Sequence, residues 1–182
     1  MIKMQLTKDM ISRAKIRDAE MPNLKNSIRE QKGRLDGFIA EEALAFHTKS
    51  KLVSAVGSDK YDFDLVIQGI KVEVKTQSNA YIPKRDYFST VSDFSSGQKP
   101  EKYAFVTIVH DNKELTNPVA AYLKGFMDYS EFKEKSEFIP KGSVTGHNNF
   151  VSKADQWNII NYQLKSFDNS RYLNWPTLIP FQ

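Results

Sequence analysis

The sequence predicts a mixed α/β fold, of the α+β kind, in which a mixed sheet of four or five strands is flanked by helices. Apolar residues recur at helical spacing over roughly the first 48 residues. The period then changes to a strand-like alternation between residues 51 and 76, and two further β-rich segments follow at 103–109 and 119–123. Helices followed by clustered strands are typical of this class.

The composition indicates one ordinary globular domain. The 182 residues are 40% hydrophobic and 26% charged. We expect a single domain over 1–182, with a helical part at 1–50, a sheet core at 51–125 and a carboxyl-terminal elaboration at 126–182. No apolar run approaches the roughly 20 residues of a membrane span, and the amino terminus lacks the pattern of a signal peptide.

The chain contains no cysteine, which excludes disulfides, thiolate zinc sites and a cysteine nucleophile. This composition favours a cytoplasmic protein. Lys and Arg number 26 against 22 acidic residues, a net charge of +4 that is compatible with a polyanionic partner but does not establish one. The basic residues between positions 3 and 51 form either a phosphate-facing surface or a solvated helix face.

Two helical segments open the chain. Thr7 is placed to cap a first helix that runs to about Glu20. A second helical stretch covers about 23–48, where Gly33 and Gly37 each weaken it by ~1 kcal/mol relative to alanine, so a kink or two shorter helices are alternatives.

A β-hairpin is the clearest local prediction. A short strand lies at about 52–56, and residues 61–67 and 70–76 are the two strands of the hairpin, joined by a tight turn at Gln68-Gly69. Alternation places Ile70, Val72 and Val74 on one face and Lys71, Glu73 and Lys75 on the other.

The carboxyl-terminal part carries weaker signals. Residues 103–109 are a strand, and 119–123 are a further candidate strand. A short helix is expected at 128–136, and a helix or strand at about 157–164 within a largely irregular end.

The outward face of the hairpin combines two carboxylates and a lysine. Glu73 and Lys75 project from the same face, and folding about the turn brings Asp64 alongside them. Carboxylate oxygens suit Mg²⁺, which polarises a phosphate and activates bound water. A lysine beside the metal can orient or deprotonate that water.

The segment YDFDLVIQGIKVEVKTQ, residues 61–77, resembles the core hairpin of the PD-(D/E)XK nuclease superfamily. The pattern of Asp64 followed by Glu73-Val74-Lys75 carries the resemblance, together with Gly37-Phe38-Ile39-Ala40-Glu41 on the preceding helix. Phe63 stands where many members have proline. The resemblance runs from Gly37 to Gln77, under a quarter of the chain.

This resemblance implies a restriction endonuclease-like three-layer core. It also implies that Asp64 and Glu73 bind Mg²⁺, or Mn²⁺ as a substitute. Glu41 would assist directly or through water, Lys75 would position or activate the nucleophile, and Gln77 would be an accessory polar residue.

Two positions stay ambiguous on sequence grounds. Asp62 has the same strand parity as Asp64 and is a possible second ligand or a solvated edge residue. Glu42 points about 100° away from Glu41 on a helix and is the alternative helix carboxylate.

Residues 81–102 interleave basic, aromatic and small hydroxyl side chains, which suits contact with nucleic-acid backbones and bases. We expect a flexible loop whose contacts come from Tyr81, Lys84, Arg85 and Lys99. An ordinary polar connection is the alternative.

The sequence therefore predicts a Mg²⁺-dependent endodeoxyribonuclease that acts on DNA. A homodimer and a prokaryotic or phage source are compatible with this prediction. Two alternatives are a non-catalytic nucleic-acid-binding protein with the same fold and an unrelated α+β protein whose hairpin is charged by chance. The sequence does not separate restriction, repair and junction-resolving roles.

Overall fold

A computed structural model describes residues 1–20, 33–53, 63–92, 100–145 and 150–168. Three helices and eleven strands lie within these ranges. In chain order they are β1 (Ile2–Gln5), α1 (Lys8–Glu20), α2 (Arg34–Thr48), β2 (Lys51–Leu52), β3 (Leu65–Ile67), β4 (Ile70–Asn79), β5 (Phe88–Ser92), β6 (Lys102–His110), β7 (Pro118–Asp128), α3 (Tyr129–Lys135), β8 (Glu137–Ile139), β9 (Val144–Thr145), β10 (Phe150–Val151) and β11 (Gln156–Ile160).

Six strands form the main sheet, in the spatial order β1-β7-β6-β4-β3-β2. Strands β4 and β6 are parallel, and the other neighbouring pairs are antiparallel. The predicted mixed α/β class is confirmed, but the expected count of four or five strands is too low. Edge strand β1 accounts for the difference, because its four residues are too few to show a clear alternation.

Helices α1 and α2 cover one face of the main sheet. Thr7 caps α1 as predicted, since its Oγ1 accepts a hydrogen bond from the backbone N–H of Met10 at 3.2 Å. Helix α2 packs against β4, β6 and β7, and α1 packs against α2. Met10, Ile39 and Leu44 are buried there against Val72. The expectation that helices flank the sheet is confirmed on this face.

The opposite face is covered by α3 and a small antiparallel sheet in the order β5-β11-β8. Tyr103 and Phe105 of β6 are buried there against Phe132 of α3 and Ile159 of β11. Ring centroids of Tyr103 and Phe132 lie 5.0 Å apart in an edge-on arrangement. Both faces of the central strands are therefore buried, which explains their near-continuous hydrophobic character.

The Gln68-Gly69 turn joins β3 to β4. Both residues have positive φ, 52° and 83° respectively. Two successive positive φ values are what a two-residue type I′ turn requires, and the twist of that turn matches the twist of the flanking strands. The register pairs Ile67 with Ile70 and Leu65 with Val72, which confirms the predicted hairpin where the structure describes it.

Other boundaries differ from the sequence expectations. The expected flexible loop over 81–102 contains strand β5 at 88–92, which pairs with β11. Strand β7 runs on to Asp128, beyond the expected 119–123. The region around 157–164 is a strand followed by a short 3₁₀ turn at 161–163. The expected helix over 23–32, most of the strand at 52–56 and the first residues of the 61–67 strand lie outside the described residues.

In the part of the chain that the structure describes, no helix is long and apolar enough to cross a membrane.

Candidate active site

The site lies on strand β4 just beyond Val72, where the pairing of β4 with β3 ends. Strand β3 is three residues long and pairs with β4 only as far as Val72. Within the described ranges, no strand pairs with β4 beyond Val72 on this side. The Asp64 side chain supplies the hydrogen-bond acceptor that a neighbouring strand would otherwise provide, since its Oδ2 accepts a hydrogen bond from the Val74 N–H at 2.7 Å. This open edge lets side chains from the helix layer and from the opposite face of the sheet approach one another.

Glu73 and Lys75 project from β4 on the face that carries Tyr103 and Phe105, their partners in the parallel register. Glu73 is buried, and its Oε1 accepts a hydrogen bond from Lys75 Nζ at 2.7 Å. The Lys75 ammonium also lies 5.6 Å from the ring centroid of Tyr103. The sequence expectation of an outward face is therefore wrong for Glu73, because α3 and the small sheet cover that side of the main sheet.

Glu41 reaches the same region from helix α2. It is 8% exposed, and its Oε2 accepts a hydrogen bond from Arg17 Nη2 at 2.6 Å. The Arg17 guanidinium stacks over the ring of Phe38 at 4.5 Å, and its buried Nη1 has no hydrogen-bond partner among the described residues. The sequence does not identify Arg17, since nothing in the spacing shows that a residue of α1 faces a residue of α2 24 positions later.

Glu42, the alternative helix carboxylate, has a different environment. Its Oε2 accepts a hydrogen bond from Arg13 Nε at 2.8 Å, one helical turn from Arg17 on α1. The Arg13 side chain is 53% exposed. The buried position of Glu42 among apolar neighbours is thus balanced by an arginine that reaches in from solvent. Glu41, by contrast, interacts electrostatically with Glu73.

The three site carboxyl groups all bind protons more tightly than usual. Burial raises the pKa of Glu41 to about 7, against the lowering effect of Arg17. Burial followed by repulsion from Glu41 raises the pKa of Asp64 to about 7, although the Val74 N–H lowers it. Burial followed by repulsion from Asp64 raises the pKa of Glu73 to about 7, although Lys75 lowers it. Each carboxylate is therefore destabilised in its charged form by burial first and by a neighbouring carboxylate second.

The charges of this cluster do not balance. Above pH 7 the three carboxylates of Glu41, Asp64 and Glu73 face two cations, Arg17 and Lys75, among the described residues that act on them. A divalent cation would compensate the excess negative charge. Carboxylate oxygen atoms are the ligands that such hard cations prefer. Among the residues that the structure describes, no group of three or more His, Asp or Glu side chains is arranged to hold a metal ion. Glu41 and Glu73 are turned towards their cationic partners, Arg17 and Lys75.

Gln77 continues the same face of β4 beyond Lys75 and is partly exposed. Its Oε1 accepts a hydrogen bond from Lys124 Nζ at 2.5 Å. Lys124 lies in β7 outside the predicted strand 119–123, and no pattern in the sequence singles it out.

The residues expected to contact nucleic acid lie just after β4. Tyr81, Lys84 and Arg85 are exposed. Tyr81 packs edge-on against Tyr87 with ring centroids 5.9 Å apart. Asn161 fixes this segment by donating to the Lys84 carbonyl at 2.8 Å, so it is an anchored turn and not the expected flexible loop.

The structure thus brings together Glu41, Asp64, Glu73 and Lys75, with Gln77 farther along the same strand face. Asp62 and Lys99 lie outside the described residues. Arg17 and Lys124 are the additions that the fold supplies.

Comparison with protein-family models found no match for this chain, and no curated protein sequence is significantly similar to it. The evidence for function is therefore the chemistry of the site.

Proposed function

We propose that this protein is a divalent-cation-dependent nuclease that hydrolyses DNA phosphodiester bonds, with a restriction endonuclease-like core. The observation that carries the proposal is the meeting of Glu41, Asp64 and Glu73 at an open sheet edge with Lys75 among them. These three carboxylates repel one another. A divalent cation would relieve this repulsion in place of the protons that these raised pKa values indicate.

The order of these elements is consistent with a restriction endonuclease-like core. Helix α2 delivers Glu41 to the sheet, the β3–β4 hairpin delivers Asp64 and Glu73, and the parallel β4–β6 pair followed by antiparallel β7 extends the sheet away from the site. The resemblance of residues 37–77 to the PD-(D/E)XK pattern agrees with this placement.

Asp64 and Glu73 would hold Mg²⁺ or Mn²⁺, and Glu41 would assist once Arg17 releases it. The metal when bound supplies Lewis-acid polarisation of the phosphate and a water of lowered pKa. The Asp64 carboxylate is kept in place by the Val74 N–H. Lys75 lies within hydrogen-bond distance of Glu73 and is positioned to orient or deprotonate the attacking water, or to stabilise charge on the phosphate.

The test is a cleavage assay on supercoiled plasmid, single-stranded and branched DNA with Mg²⁺ or Mn²⁺. Lys75→Ala should reduce the cleavage rate by at least ~100-fold, the usual contribution of a positioned proton-transfer group. Lys71→Ala is the matched control, since Lys71 has the same strand parity on β4 but is exposed. We expect it to cut at the wild-type rate.

Metal-dependent cleavage that survives Lys75→Ala would contradict the role given to the lysine. Absence of cleavage on every substrate with either metal would contradict nuclease activity itself. If binding to DNA then persisted in EDTA, the alternative of a non-catalytic nucleic-acid-binding protein would be favoured. The pairing of Glu41 with Arg17 and of Glu73 with Lys75 is the observation consistent with that alternative.

A further inference from the structure

Lys124 is a buried cation without an acidic partner among the described residues. It is 3% exposed, and its ammonium donates a hydrogen bond to the neutral Gln77 side chain at 2.5 Å. Other lysines of this fold that are largely buried are matched by carboxylates, as Lys75 is by Glu73 and Lys102 by Asp128. A buried ammonium with one amide acceptor is costly for folding.

A β-bulge aims Lys124 at this position. The register pairs Phe105 with Gly125 and Val106 with Leu123, so Lys124 is the extra residue of β7. Bulges commonly re-aim a side chain in this way. The Lys124 side chain crosses β6 to meet Gln77 on β4, over two strand spacings or roughly 10 Å between backbones. It is therefore extended along the sheet surface towards the site strand.

The Lys124 side chain ends at a row of polar side chains on β4. This row consists of Glu73, Lys75 and Gln77, which project from the same face of the strand, and Gln77 is partly exposed to solvent. The Lys124 ammonium and the Gln77 amide thus lie side by side, and both can donate a hydrogen bond to one anion.

The charge along this strand face changes from negative near Glu73 to positive near Gln77. Carboxylates predominate at its Glu73 end, whereas Lys75 and Lys124 make the Gln77 end positive. Lys75 and Gln77 are separated by ~7 Å along the strand, at about 3.3 Å per residue. An anion bound at Gln77 therefore occupies a separate position from a group bound at Lys75, and both can be bound at the same time.

We infer that Lys124 and Gln77 form a phosphate-binding subsite that takes a backbone phosphate of a nucleic-acid strand, next to the phosphate at Lys75. The inference rests on the proposed function in one respect, that the ligand is a nucleic acid, and it does not require cleavage. Burial lowers the pKa of Lys124 to about 7, and a phosphate at this position would favour the charged ammonium.

The test is the affinity of the full chain for a fluorescein-labelled single-stranded oligonucleotide, measured by anisotropy in EDTA at several salt concentrations. Lys124→Met keeps the length of the side chain and removes its charge. We expect binding to weaken by about tenfold or more, the range for a hydrogen bond to a charged group. The slope of log K against log salt should fall by about 0.7, the decrease expected when the protein neutralises one phosphate fewer.

Lys153→Met is the matched control, since Lys153 is an exposed lysine outside the main sheet and the change in net charge is the same. We expect less than a twofold effect. Wild-type affinity and salt slope in Lys124→Met, or an equal weakening of binding in the two variants, would overturn the inference.

The thermal unfolding temperature of Lys124→Met should be higher than that of the wild type, because an unpaired buried charge is removed. If Lys124→Met does not fold, Gln77→Met provides the test at a partly exposed position, and unchanged affinity there would overturn the subsite.

The inference and the proposed function fail separately. Cleavage by the wild type with normal binding by Lys124→Met would refute the subsite alone, and weakened binding by Lys124→Met without any wild-type cleavage would refute the nuclease alone.

Discussion

Replacing Asp64 with asparagine should stabilise the metal-free protein at pH 8. The pKa of this carboxyl is about 7 in the fold, against the ordinary value of 3.8 taken for the unfolded chain. The folded state therefore binds the proton more tightly, and ionisation of Asp64 lowers the free energy of unfolding. Asparagine has the shape of the neutral acid and keeps an oxygen for the Val74 N–H. Its introduction removes the repulsion from Glu41 and Glu73.

The magnitude follows from the two pKa values. A difference between about 7 and 3.8 corresponds to at most ~4 kcal/mol at 1.36 kcal/mol for each pH unit. Because Glu41 and Glu73 share in the same proton binding, we expect an observed gain of about 2 kcal/mol. The gain should be complete above pH 7. It should shrink as the pH is lowered through the window from 7 to 3.8, since both proteins are then neutral at this position in the fold.

The assay is urea denaturation followed by tryptophan fluorescence at pH 8 and at pH 4. Asp86→Asn is the control, because Asp86 is exposed, and its effect should stay within about 0.5 kcal/mol at both values. A lower stability of Asp64→Asn at pH 8, or the same change at both pH values, would refute the reasoning.

Two further comparisons test the surroundings of the site. Arg17→Gln should destabilise the protein by about 3 kcal/mol at pH 8, because it leaves Glu41 buried without its partner. Arg13→Gln should lower the free energy of unfolding by less than about 1 kcal/mol, since the Arg13 side chain is 53% exposed. Equal losses in urea denaturation would contradict this distinction. Gly125→Ala should destabilise by more than about 2 kcal/mol, because a Cβ would meet a backbone oxygen at 2.6 Å, whereas Gly37→Ala in an open part of α2 should stabilise by up to ~1 kcal/mol. A tolerated Gly125→Ala in thermal unfolding would show that the close approach relaxes.

The hairpin and its site residues are predictable because their signals are local. The Gln68-Gly69 turn fixes the register, and a period of two places Glu73 and Lys75 on one face. The position of Glu41 can be anticipated only through the resemblance around Gly37. The local pattern does not reveal that Glu73 is buried, because the covering layer comes from later segments of the chain, β5, α3, β8 and β11.

The cationic partners depend on tertiary structure. Arg17 meets Glu41 only because α1 and α2 pack side by side, and no spacing in the sequence encodes that contact. Lys124 depends on a one-residue bulge, which reverses the alternation on which strand prediction depends. For the same reason the predicted strand ends at Leu123, although β7 continues to Asp128.

The central claim is that the carboxylates of Glu41, Asp64 and Glu73 form a divalent-cation site. The most direct measurement is Mn²⁺ binding at pH 8, followed by the decrease of the free-ion signal in electron paramagnetic resonance. Binding should be present in the wild type, absent in Asp64→Asn and retained in Glu42→Gln, whose parent carboxylate is paired with Arg13. Absence of binding in the wild type, or equal binding by Asp64→Asn, would contradict the account.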